Sequence, residues 1–142
     1  MKRRYFVAAA LLAAVGVAGS AGCSSPPAAL GNHDAKVIIN GKATNSVQPV
    51  TCTQYGQSWT IQTLDKEPGF TATLQLGDTV TAQTVDIRNL GNFTGIYWND
   101  NLGKASASVN QGKFNVKGEA KGAFADTPTE STTASFDIST TC

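Results

Sequence analysis

From Lys36 to Cys142 the chain alternates apolar and polar residues in short runs, cut by Gly, Asn and Thr. Period two places alternate side chains on opposite faces, so each run can bury one side only and must be a strand rather than a helix. Val37-Ile38-Ile39 runs into Asn40-Gly41, a strong signal for a two-residue hairpin turn. Val50 and Cys52 share a face, as do Trp59, Ile61 and Thr63, and then Phe70, Ala72, Leu74 and Leu76. Val80 and Ala82 precede a second alternating pair, Val85 and Ile87, and Ile96 shares a face with Trp98. Ala105, Ala107 and Val109 turn at Asn110-Gln111-Gly112 and return as Phe114, Val116, Gly118 and Ala120. The last run aligns Ala134, Phe136, Ile138, Thr140 and Cys142. Asp65 to Gly69 is expected to form a short helical turn. The pattern predicts a mainly β fold: one antiparallel β-sandwich or open half-barrel over residues 36–142.

The N-terminus obeys a different logic. Lys2, Arg3 and Arg4 lead an apolar run from Tyr5 to Val17, closed by Gly19-Ser20-Ala21-Gly22-Cys23. A basic head, an apolar middle and a small-residue cut site make an export signal, here residues 1–22. The apolar run is too short to span a bilayer as a helix. A cysteine directly after the cut is the nucleophile to which a diacylglycerol is attached in bacterial lipoproteins. Ser20 departs from the usual pattern, which has Leu three residues before the cysteine. An ordinary secretory peptide with a chance cysteine is the competing reading. Residues 23–35 then read as the acylated cysteine and a short tether, Ser-Ser-Pro-Pro followed by small and polar residues with too little apolar content to pack. Two or three acyl chains on Cys23 would hold the protein on the membrane, where one alone holds marginally.

Charge excludes some partners. The eleven basic residues less Lys2, Arg3 and Arg4 leave eight against ten acidic ones, so the mature chain carries about −2 on its side chains. With no basic patch, nucleic acid is not an expected partner. An anionic bilayer surface offers no attraction either, leaving the lipid as the means of attachment.

Three cysteines divide into one and two. With Cys23 acylated, Cys52 and Cys142 remain in a chain exported to an oxidising space. A bond between them closes a loop of roughly 90 residues, worth on the order of 4–5 kcal/mol in the chain-entropy account. Two reduced thiols are the alternative. Neither cysteine has a close Cys or His partner, so no metal or redox role is expected.

Little else suggests chemistry. The sole histidine, His33, falls in the expected tether, which removes a His-based triad or a Cys/His zinc site from the folded domain. The scattered carboxylates sit beside turns or on polar faces, and no glycine-rich phosphate loop is present. Neither catalysis nor a cofactor is expected. Asn92-Phe93-Thr94 matches a glycosylation acceptor by accident. Tyr97-Trp98-Asn99-Asp100-Asn101 combines stacking rings with hydrogen-bonding side chains, which suits a sugar or other polar ligand. The alternative is a core Trp98 followed by an Asx-rich turn. Trp59, Tyr97 and Trp98 are the candidate ligand contacts. The apolar faces are also able to enclose a lipid, as small barrels do.

Read in order, several segments resemble the mycobacterial LpqH lipoprotein-antigen family, and within it the LppE-like members. They are Val-Ile-Ile-Asn-Gly from Val37, Val50-Thr51-Cys52, Val85-Asp86-Ile87-Arg88-Asn89, Gly95-Ile96-Tyr97-Trp98, the hairpin from Gly103 to Gly118, and Ser135-Phe136-Asp137-Ile138 with Cys142. The resemblance implies a non-catalytic surface antigen, lipid-anchored on the extracytoplasmic face of the cell membrane. It implies an acylated Cys23 open to host Toll-like receptor 2, and a Cys52–Cys142 bond. The tether is shorter than the family's Thr-rich linker, which places the domain closer to the lipid. A lipid- or glycan-binding carrier module is the alternative function.

Overall fold

The computed structural model describes residues 30–44 and 46–142; the expected signal peptide, Cys23 and the first part of the tether lie outside them. Ten strands follow one another with no helix among the described residues. They are β1 (Leu30–Ile39), β2 (Lys42–Ala43), β3 (Gln48–Tyr55), β4 (Ser58–Thr63), β5 (Gly69–Gln75), β6 (Thr81–Leu90), β7 (Phe93–Trp98), β8 (Lys104–Asn110), β9 (Lys113–Phe124) and β10 (Thr132–Thr141).

All pairings are antiparallel. The ladder runs β1, β3, β4, β5, β6, β7, β9, β10, and β10 pairs back onto β1. Closure is uneven along β9. β7 pairs only with residues 121–124 of that strand, and β8 takes the same edge over residues 113–119. β7 and β8 run in one direction along that edge, interrupted by an excursion that the Trp98–Leu102 bridge pinches off. The result is the expected β architecture, an incompletely closed half-barrel of antiparallel strands.

Turn chemistry explains the connections. Asn40 and Gly41 hold φ of 49° and 77° between paired Ile39 and Lys42, the left-handed pair that a two-residue hairpin requires. Gln111 and Gly112 repeat the device between Asn110 and Lys113. On β6 the register slips between Thr73 and Leu74 of its partner, leaving Gln83 as an extra residue. This bulge brings Ala82 and Val85, three positions apart, onto the same inner face.

The inner face carries the core: Val37, Val50, Ile61, Phe70, Leu74, Val85, Ile87, Phe93, Phe114, Val116, Phe136 and Ile138 are all buried. Contacts across the interior join strands that are not ladder neighbours. Trp59 of β4 lies on Phe114 of β9 with ring centroids 5.0 Å apart, and Tyr97 of β7 lies 6.4 Å from Phe136 of β10.

Two expectations change. β1 begins at Leu30 and pairs His33 with Val50, so the residues from 30 to 35 are strand rather than tether. The reason is periodicity: Ala35, Val37 and Ile39 are buried, and His33 continues that face two residues earlier. The segment after β4 is a bend rather than a helical turn. The Thr63 hydroxyl donates to the Asp65 carbonyl at 2.7 Å and accepts the Phe70 amide at 3.0 Å, closing the loop on itself. The Glu67–Pro68 peptide within it is cis.

Candidate functional site

The three rings expected to contact a ligand do not share a surface. Trp59 points inward and packs on Phe114. Its Nε1 is buried without a hydrogen-bond partner. Tyr97 is also inside, 3% exposed. Its hydroxyl lies 3.2 Å from the Ala82 carbonyl and 3.1 Å from Asn99 Oδ1, and donates to one of them. Burial, with a smaller contribution from the Asp100 charge, pushes the Tyr97 phenol above its ordinary pKa. Trp98 alone faces solvent, 56% exposed. The alternation of β7 thus runs opposite to a core Trp98, with Tyr97 inside and Ile96 and Trp98 outside. The Asx-rich turn does form. Asp100 holds φ of 60°, and Asn101 and Leu102 both donate amides to the Trp98 carbonyl.

Cys52 and Cys142 are bonded, with Cα atoms 6.0 Å apart. Cys52 is buried on β3 and Cys142 is half-buried just beyond β10. His33, half-buried on β1, leaves its Nε2 without a partner. Among the described residues no group of three or more His, Cys, Asp or Glu is placed to hold a metal ion. The one ion pair among them, Arg88 Nη1 to Asp86 Oδ2 at 2.6 Å, lies on the outer face. There Arg88 also donates Nε to the Lys66 carbonyl.

The side chains named above pack together inside, and an open trough of about 850 Å³ lies on the outside of β8, β9 and β10. It is lined by Lys104, Lys117, Glu119 and Asp137. The opposite outer face, across β3 to β7, has another character. Cross-strand register there aligns Thr53 with Thr60, Thr60 with Thr73, Thr73 with Thr84, and Thr84 with Trp98. A parallel row joins Thr51, Gln62, Thr71, Asp86 and Ile96. The sequence held the signal for this surface, in the polar members of each alternating pair, but not the register that aligns them.

The model of the Mycobacterium 19 kDa lipoprotein antigen family matches residues 28–142. A putative lipoprotein of Mycobacterium indicus pranii is 34% identical, with both chains covered in full. The probable lipoprotein LppE of Mycobacterium tuberculosis is 31% identical, over 76% of this chain and 77% of its own. Lipoprotein LpqH of the same species is also 31% identical, over 100% of this chain and 99% of its own. The resemblance read from the sequence thus agrees with matches that span nearly the whole chain: it belongs to the Mycobacterium 19 kDa lipoprotein antigen family, whose members are membrane-anchored lipoproteins of the cell envelope.

Proposed function

We propose that this protein is a non-catalytic envelope lipoprotein whose principal functional group is an acylated Cys23 on the extracytoplasmic face of the membrane. The observation that carries the reading is a lipoprotein family match across residues 28–142, preceded by Gly19-Ser20-Ala21-Gly22-Cys23. The Cys52–Cys142 bond takes up the other two cysteines and leaves Cys23 for the lipid. In this reading residues 1–22 are removed, and the chain from Cys23 to Leu30 spans at most roughly 25 Å. The domain therefore stands close to the bilayer and presents the acylated cysteine as the group a host Toll-like receptor 2 would recognise. What supports this reading over an internal lipid carrier is the single cluster of buried side chains, from Val37 to Ile138, that occupies the inner face.

Cys23→Ala tests it. Labelled fatty acid should no longer be incorporated and the protein should leave the membrane fraction; persistent labelling would overturn the assignment. Receptor-reporter cells should respond to the native protein and ignore the variant.

A further inference from the structure

We propose that the outer face of β3 to β7 binds a neutral polysaccharide of the cell's own envelope, with Trp98 as its stacking platform. The inference rests on the envelope location that the family gives; the binding itself does not need acylation at Cys23, whereas the assignment to the cell's own polymer rests on that anchor.

The surface is built by register. Thr53, Thr60, Thr73 and Thr84 stand side by side on four successive ladder strands, and Trp98 ends the row. Neighbours are about 4.8 Å apart, so the row runs roughly 19 Å across the strands. Each hydroxyl both donates and accepts, and so matches the hydroxyls of a sugar chain without fixed polarity. Trp98 leaves its indole more than half exposed beside Ile96, which is 40% exposed. An apolar ring face bordered by hydroxyls and amides suits a pyranose, which has C–H faces and a polar rim.

Charge selects the kind of partner. The outward positions of β3, β4 and β5 carry no charged side chain, being Thr, Ser, Gln, Tyr, Pro and Gly. The second row, from Thr51 to Ile96, carries one charge, Asp86, which is paired with Arg88. The other charges lie at the rim, on the exposed Asp65-Lys66-Glu67 loop held against Arg88, on Lys121 opposite Ile96, and on Asp100 in the turn after Trp98. The other side of the domain gathers Lys104, Lys117, Glu119 and Asp137. The row from Thr53 to Trp98 is itself uncharged, so it offers nothing to a polyanion or an acidic headgroup, while the hydroxyls of a neutral glycan can replace the water bonds its threonines give up. The source follows from position. A domain whose first strand starts seven residues after Cys23 stays beside the envelope polymers surrounding its own anchor.

The test immobilises the neutral polysaccharide fraction of the producing cell's envelope on a sensor, with dextran and hyaluronan in parallel channels. The full chain is applied in a nonionic detergent. Binding is expected on the neutral envelope fraction and to fall at least about fivefold in Trp98→Ala. Thr73→Glu, in the middle of the row, should weaken it similarly, while Ser106→Glu on the opposite face should leave it unchanged. Thermal melting of each variant shows that the fold is intact. Acrylamide quenching gives a second readout: bound polysaccharide should shield the exposed Trp98, and this protection should vanish in Trp98→Phe, where only the inward-facing, half-buried Trp59 emits. The proposal is overturned if binding to hyaluronan matches that to the neutral fraction, or if Trp98→Ala and Thr73→Glu bind as the native chain does. Equal binding to dextran would overturn the assignment to the cell's own polymer.

Discussion

Cys52 and Cys142, ninety positions apart in the chain, are joined where β3 and the end of β10 meet the same part of the core. The bond spans most of the folded chain, so its removal frees the unfolded ensemble more than a short staple would. Cys52→Ala/Cys142→Ala is expected to cost about 2–5 kcal/mol, measured by urea unfolding. Reductant should lower the native protein to the same level and leave the double variant unaffected.

Asn40 performs two tasks at the first hairpin. It accepts a left-handed φ, and its Oδ1 accepts the Ser135 amide at 2.9 Å, tying the turn to the start of β10. Asn40→Gly keeps the backbone conformation and loses the bond; Asn40→Ala loses both. The expected order of stability is native, then Gly, then Ala, with the Ala variant lower by about 1–2 kcal/mol in thermal or urea unfolding.

Gly95 and Gly122 face each other across β7 and β9. A Cβ on Gly95 would lie 2.6 Å from Phe93 Cε1 and 2.7 Å from the Lys121 carbonyl, and one on Gly122 would run into the Thr94 carbonyl. Gly95 leaves room for the Phe93 ring, and Gly122 lets the β7 backbone approach β9 closely. Gly122→Val is expected to destabilise by about 1–3 kcal/mol, seen as a melting temperature lowered by several degrees.

Tyr97 gives the fold an alkaline limit. Its phenol is held protonated above its ordinary value of about 10, first by burial and then by Asp100. Where the folded form keeps a proton that the unfolded chain has released, stability falls as pH rises. The native protein's advantage over Tyr97→Phe is expected to be about 1 kcal/mol at pH 8, from the hydroxyl hydrogen bond, and to shrink above about pH 10. Urea unfolding of both proteins at the two pH values measures the difference.

Alternation alone located most of the core, because strands such as β5 and β10 carry apolar residues on one face only: Phe70, Ala72 and Leu74, then Ala134, Phe136 and Ile138. The two successive runs Val80–Ala82 and Val85–Ile87 are out of parity, and the structure supplies the reason: Gln83 is an extra residue in β6. Alternation failed at β7, where Ile96 and Trp98 on one face are as bulky and apolar as Tyr97 on the other. Period two separates the faces but does not say which is inside. It failed again at β1, where a polar His33 on the inner face hid two more steps of the same alternation. The threonine row needed five strands in register, and register is a long-range property that no local window contains.

β1 enters the domain from the end nearest Cys23 and is bordered by β3 on one edge and β10 on the other. If the chain is anchored at Cys23 as proposed, a force on the anchor would enter the domain at the first residue of that strand and would work against backbone bonds on both of its edges, first those to β3 and then those to β10.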